Sequence, residues 1–139
     1  MRWALLLLAL AGVFVSAEAL HVHNSTDIPP CSINEHWDCG VVNRSEFAEV
    51  HGVPVAWFGI VGYSLLAVLA VARLRTLFFF ATLPALAFSL HLTWIEKTIL
   101  QVWCLYCVIS QGIILVLTIL GFIWFLQSRM QRWEKGVEL

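Results

Sequence analysis

Three uncharged apolar stretches, Val53–Ala72, Thr76–Ile95 and Val102–Leu126, set the tightest limit on how this chain folds. About 20 helical residues, rising ~1.5 Å each, cross a ~30 Å hydrocarbon core, and each stretch reaches that length. Water is absent there, so every backbone amide needs a partner within the protein and the spans are helical. Two short links, Arg73-Leu74-Arg75 and Glu96–Gln101, make successive spans antiparallel neighbours in a compact bundle. A fourth run, Trp3–Leu20, is broken by Ser16 and Glu18. Arg2 before it and Ala17-Glu18-Ala19 near its end also give it the form of a cleavable export signal. A retained first helix is the expectation, and under either reading the segment that follows is exported.

Charge gives the direction. Arg2, Arg73, Arg75, Arg129, Arg132 and Lys135 fall on one side of a four-span chain. The other side receives Arg44 and Lys97 against Asp27, Glu35, Asp38, Glu46, Glu49 and Glu96. Lys and Arg are retained on the cytoplasmic face, so both termini are cytoplasmic and residues 21–52 and 96–101 lie outside. A net charge of −1 gives no reason to propose a nucleic-acid partner. A chain that is 60% hydrophobic and 12% charged suits a lipid solvent instead.

The expected fold class is therefore an all-α integral membrane protein. It is read as one domain over residues 1–139, a four-transmembrane-helix bundle with helices near 3–20, 53–72, 76–95 and 102–126. The long non-cytoplasmic loop, residues 21–52, supplies a cap. Asn43 and Glu46 have capping-box spacing ahead of a short segment ending near Val50. Val42, Phe47 and Val50 give that segment an apolar face for the membrane surface, which predicts a half-helix. A plain solvated loop is the alternative.

All four cysteines lie on the exported side, where disulfides form and persist. Cys31 and Cys39 are in the long loop, and Cys104 and Cys107 form Cys-Leu-Tyr-Cys where the last span begins. On a helix, residues i and i+3 lie about 5 to 6 Å apart, within disulfide reach. The unpaired amides and dipole of a first helical turn stabilise a thiolate, the attacking species in thiol–disulfide exchange. That pair also borders the hydrocarbon, where a quinone dissolves, so water-phase thiols meet a lipid-phase oxidant. Two purely structural disulfides, 31–39 and 104–107, would use the same residues. A tetrathiolate metal site, with His21, His23 or His36 as further ligands, is another option. Zinc sites favour two closely spaced pairs in a soluble knuckle, whereas here one pair is widely spaced and the other opens a transmembrane helix. No metal is expected.

On these residues the chain resembles the vitamin K epoxide reductase family, in the form of its single-domain microbial homologues, over essentially its whole length. The likeness rests on Cys31 and Cys39 with their spacing, and on Ser45 within Asn43-Arg44-Ser45-Glu46-Phe47. It continues through Gly52-Val53-Pro54, Phe58-Gly59 and Tyr63, then Trp94-Ile95 and Trp103-Cys104-Leu105-Tyr106-Cys107. The resemblance implies four helices around a quinone at the non-cytoplasmic end, capped by the loop, in a protein functionally similar to DsbB. It implies that Cys31 exchanges with a thioredoxin-like (DsbA-like) partner, that Cys39 relays to Cys104, and that Cys107 faces the quinone. The implied activity is a quinone-dependent thiol–disulfide oxidoreductase that reoxidises its partner and so supports disulfide formation in secreted proteins. A bacterial inner membrane, with the cysteines periplasmic, is the implied location. Many microbial relatives carry a fused thioredoxin-like domain; this chain stops at Leu139, so a separate partner protein is expected.

Animal members have an Asn at the place matching Val55 and a Tyr at the place matching Gln111. Val55 cannot donate a hydrogen bond, so menaquinone or ubiquinone, rather than vitamin K epoxide, is the expected substrate. Ser45, with the aromatics Phe47, Phe58, Tyr63 and Tyr106, makes up the candidate quinone pocket. His91, in the third span, is a candidate proton donor, with a hydrogen-bonded structural histidine as the favoured reading. Asn24-Ser25-Thr26 and Asn43-Arg44-Ser45 match glycosylation acceptors, which matter only in a eukaryotic secretory pathway.

Overall fold

A computed structural model describes residues 1–137. In chain order it contains α1 (Arg2–Asn24), α2 (Cys39–Asn43), β1 (Glu49–Val50), β2 (Val53–Pro54), α3 (Val55–Val71), α4 (Arg75–Ile95) and α5 (Leu105–Val137). Three helices are long and apolar enough to cross a membrane: α1, α4 with its continuation to Leu100, and α5. Helix α3 is equally apolar in character but shorter. The bundle wears its hydrophobic residues outside, with Leu7, Phe14, Val61, Val68, Leu77 and Ile119 all exposed. A surface of that kind suits hydrocarbon and not water. The chain is a helical membrane protein.

Helix α1 packs along α3 and α5, while α4 lies against α5. Leu5 and Ala9 of α1 meet Tyr63, Leu66 and Ala70 of α3, Phe78 of α4, and Ile114, Leu117 and Trp124 of α5 in one buried core. Without a hydrophobic drive between helices in lipid, close packing at small residues holds such interfaces. At Gly12 a Cβ would clash with the edge of the Tyr63 ring, and at Gly59 it would lie 2.5 Å from the Ser16 hydroxyl. Helix α1 is thus an integral layer of the fold. Gly12→Ala is expected to destabilise the bundle by about 1–3 kcal/mol through overpacking. Gly62→Ala, where a Cβ meets nothing within 4 Å, is the matched control. A thermal midpoint in detergent lowered only by the first substitution checks this.

Several boundaries differ from the sequence reading. Helix α1 continues past Leu20 to Asn24, which shortens the loop. Helix α3 begins at Val55 and not Val53, because β2 pairs antiparallel with β1. The turn between them places His51 (φ 53°) and Gly52 (φ 83°) in left-handed backbone, as a tight two-residue hairpin requires. Residues 96–100 are not an open link: they prolong α4 as a π turn until Gln101 turns left-handed at φ 53°. Helix α5 starts at Leu105 and runs on to Val137, so Arg129, Arg132 and Lys135 are helical. At that end Arg132 and Lys135 line one cleft with Arg73 and Arg75.

The cap also departs from expectation. No half-helix runs from Asn43 to Val50: α2 ends at Asn43, a single 3-10 turn covers Glu46–Ala48, and β1 follows. The capping box is absent because Asn43 is buried and its amide is committed elsewhere, as described below. Val42 is buried, Phe47 half-buried and Val50 exposed, so the three share no single face.

Candidate redox site

Backbone hydrogen bonds press the exported loop onto the start of α5. Trp37 and Trp103 form a parallel bridge, in which the Trp103 N–H donates to His36 O (2.7 Å) and the Asp38 N–H donates to Trp103 O (3.0 Å). Their indole rings lie 6.3 Å apart. Asp38 then caps α2, its carboxylate accepting from the amides of Gly40 (2.9 Å) and Val41 (3.3 Å) and from the Ser32 hydroxyl (2.7 Å). Each bond satisfies a donor that the short helix leaves open. Arg44 ties the far end down, donating to Val22 O (3.1 Å) and Asp27 O (2.7 Å).

This register puts the two cysteine pairs together. Cys31 and Cys39 form a disulfide with a Cα–Cα distance of 5.7 Å, while Cys104 and Cys107 are free thiols. Cys31, Cys39 and Cys104 share one buried cluster with Val22 and Val42, and Cys107 packs at its edge. Asn43 joins the pairs. Its Nδ2 donates to Cys39 O (2.9 Å) and to Cys104 Sγ (3.2 Å). Cys104 sits at the mouth of α5, its carbonyl accepting the first helical bond from Val108 N (3.0 Å). Its sulfur, accepting from the Asn43 amide beside the loop disulfide, is placed for exchange with that pair.

Asp38 gives a pH test of the docked loop. The Ser32 hydroxyl first, then the α2 amides and Arg44, hold its carboxyl below the usual value. A depressed carboxylate contributes stability above its unfolded pKa of about 3.9, and that contribution is lost as pH falls through the lower native value. Below about pH 4 the Cys31–Cys39 disulfide should therefore become progressively easier for a neutral phosphine to reduce. Asp38→Asn should flatten that dependence. Reduction rates followed across pH 2–6 (roughly the window set by those values) check it.

Beneath the loop lies a cavity of about 180 Å³ lined by α1, α3, α4, α5 and the loop. All five sequence candidates, Ser45, Phe47, Phe58, Tyr63 and Tyr106, are on its wall, and so is Cys107. Ser45 faces it while donating to Val42 O (2.8 Å). Tyr63 is anchored by its hydroxyl against Ser110 Oγ (2.8 Å) and Ser110 O (2.9 Å). Phe58 of α3 and Phe88 of α4 meet edge to face at 6.4 Å and both remain exposed, so they form the outer wall of the cavity between these helices. Val55 lines the wall as an apolar contact. Gln111 does not; its Oε1 accepts from Ser89 (2.5 Å) and Thr93 (3.1 Å), two residues that do.

His91 is not part of the site. It is exposed and stacks on Trp94 at 6.3 Å. The ionisable groups on the wall are instead His23, Tyr63, Tyr106, Cys107 and Glu96. Glu96 is only 3% exposed, and its Oε2 accepts from the Cys104 amide at 3.2 Å. Sequence reading treated it as one exterior charge among several, since a link would leave it in water. The π turn carries it inward. His23 closes the loop side, its Nδ1 at 2.5 Å from Asn43 O and its Nε2 at 3.2 Å from Glu49. Among the described residues, no group of three or more His, Cys, Asp or Glu is placed to hold a metal ion.

The site combines a disulfide, two thiols and an apolar cavity. The profile of the vitamin K epoxide reductase family matches residues 3–122, which include α1, the whole loop and all four cysteines. No individually curated protein matches the chain. The extent of that match, together with the apolar helices, identifies the protein as a membrane oxidoreductase belonging to the vitamin K epoxide reductase family.

Proposed function

We propose that the protein is a thiol:quinone oxidoreductase that reoxidises a thioredoxin-like partner and reduces a quinone of the bilayer. The observation that carries this reading is the continuity from the Cys31–Cys39 disulfide, through the Asn43-bridged contact with Cys104, to Cys107 on the wall of an apolar cavity. The partner's dithiol attacks Cys31 and leaves as a disulfide, with the loop pair now reduced. Cys39 then attacks Cys104 of an oxidised membrane pair, which moves two electrons inward. A loop disulfide beside two free thiols corresponds to the stage at which those electrons wait on Cys104 and Cys107. Closing that pair to a disulfide converts one quinone to its hydroquinone, taking up two electrons and two protons.

Cys31 is 3% exposed in the docked loop, so exchange with a protein partner requires the loop to lift first. In this reading the chain is one membrane domain with four spans. Helix α3 serves as the fourth; its 17 residues are at the lower end of a span, near 17–25, and it turns directly into α4. Clustered Arg73, Arg75, Arg132 and Lys135 at the opposite end from the cysteines support a cytoplasmic face there, with the cysteines on the periplasmic side of a bacterial inner membrane. Ser45, Phe47, Phe58, Tyr63 and Tyr106 surround the quinone ring, and menaquinone or ubiquinone suits a wall where Val55 offers no hydrogen bond.

The test is turnover. Purified protein in detergent, given a small dithiol, should reduce a short-chain ubiquinone analogue catalytically. Stoichiometric zinc with protected thiols and no quinone reduction would sink the reading.

A further inference from the structure

We infer that Glu96 is the proton carrier between the Cys104–Cys107 dithiol and the bound quinone. The inference rests on the function proposed above and adds a residue to its chemistry. Three observations on one side chain support it.

Glu96 is buried, and among the described residues no Lys or Arg pairs with it. Burying a carboxyl group without a cation is costly, and such groups concentrate where their protonation is used. It also sits beside the reacting pair: Oε2 accepts from the Cys104 amide, and Cys107 lines the same cavity wall. Finally, it faces the cavity in which the quinone is placed. A cap for the Cys104 amide alone would need no charge, since a glutamine oxygen accepts equally well. The carboxyl therefore adds something the cap does not require.

The other groups around it are spoken for. From α1, His23 is engaged with Asn43 O and Glu49. From α3, the Tyr63 hydroxyl is engaged with Ser110. Tyr106, Cys104 and Cys107 come from α5 and its approach, and Lys97, next to Glu96, is exposed. Among these, Glu96 alone is a carboxyl group on the cavity wall. Cys104 is fully buried, so bulk water does not reach its sulfur directly.

The step balances as follows. Two S–H bonds break, one S–S bond forms between Cys104 and Cys107, and the released electron pair enters the quinone. The Cys104 thiol proton passes to the Glu96 carboxylate and from there to a quinone oxygen, so Glu96 ends as it began. The second thiol proton leaves to water, and water supplies the second hydroquinone proton.

Full-length protein in detergent decides this, with a small dithiol as donor and a short-chain ubiquinone analogue as acceptor. Glu96→Gln should lower kcat about 10²-fold or more, the usual range for loss of a general acid–base, with KM for the quinone changed less than about twofold. It should also erase the pH dependence of kcat that wild type shows, whereas Glu96→Asp should restore part of the rate together with that dependence. Reduction of the Cys31–Cys39 disulfide by the dithiol should stay at the wild-type rate in both variants. An E96Q protein that keeps the wild-type pH profile and a kcat within a few-fold overturns the inference (the lower limit of acid–base effects being about 10²). If E96Q loses its thermal transition, wild type decides: a pH-independent kcat with no solvent deuterium effect overturns it, and the opposite pair supports it. An inactive wild type would remove the proposed function as well, whereas an active wild type with an unaffected E96Q removes only the role of Glu96.

Discussion

Cys107→Ala protein should reduce no quinone with any donor, while Cys31→Ala protein should still turn over with a small dithiol and fail with a protein donor. Removing Cys107 deletes one of the two sulfurs that must close into a disulfide, and losing a group that makes the reacting bond costs at least about 10³-fold. Cys31 enters only the exchange with the partner. Once the loop lifts, a small reductant reaches Cys104 and bypasses the loop pair, so the two variants separate by donor and not by overall damage. Turnover measured side by side with both donors checks this. If Cys107→Ala retained partner-driven quinone reduction, the order of the relay would be wrong.

Asn43→Ala carries the second largest expected effect. Its amide serves two buried acceptors at once, Cys39 O and Cys104 Sγ. Truncation removes both of these buried hydrogen bonds, at a cost of about 1–3 kcal/mol. Applied to loop docking, that is about a 5- to 150-fold shift toward the lifted loop. The Cys31–Cys39 disulfide should then be reduced faster by a small phosphine, by a factor in that range. Electron transfer from Cys39 to Cys104 should become slower, because the bridge between their residues is gone. Asn43→Asp should be worse for transfer than for docking, since a carboxylate would face the Cys104 sulfur and oppose its thiolate. Equal effects of both substitutions on both rates would count against the bridging role.

Much of this arrangement was legible before any coordinates, and for identifiable reasons. Long uncharged runs admit few structures in lipid, so Thr76–Ile95 could be read directly as α4 with one added residue at its start. The family resemblance implied Cys31 and Cys39 as the loop pair, which the disulfide bears out, and aromatic residues near the exported end did gather on the cavity wall. The capping box failed because its signal is local while the fate of Asn43 is tertiary: a partner 61 positions away claims its amide. Glu96 failed for a related reason. A charged residue after an apolar run reads as the end of a span, and only the widened π turn carries it back inside. His91 shows the reverse error, a polar residue within a span that lies on the outer surface beside Trp94. Strand β2 was hidden because Val53-Pro54 continues the apolar run without a break, and a two-residue hairpin leaves no periodicity to read.

Parting of the exposed Phe58–Phe88 contact would have a kinetic corollary. A substrate entering there arrives by two-dimensional diffusion within the leaflet, so its mole fraction among lipids, and not its concentration in buffer, sets how often the cavity fills. Diluting proteoliposomes with buffer should leave the rate per enzyme unchanged, whereas fusing them with quinone-free vesicles should lower it in proportion. An isoprenoid tail too greasy to dissolve in water would then be no handicap to the substrate: it would trail out through that lateral doorway while the ring is held inside.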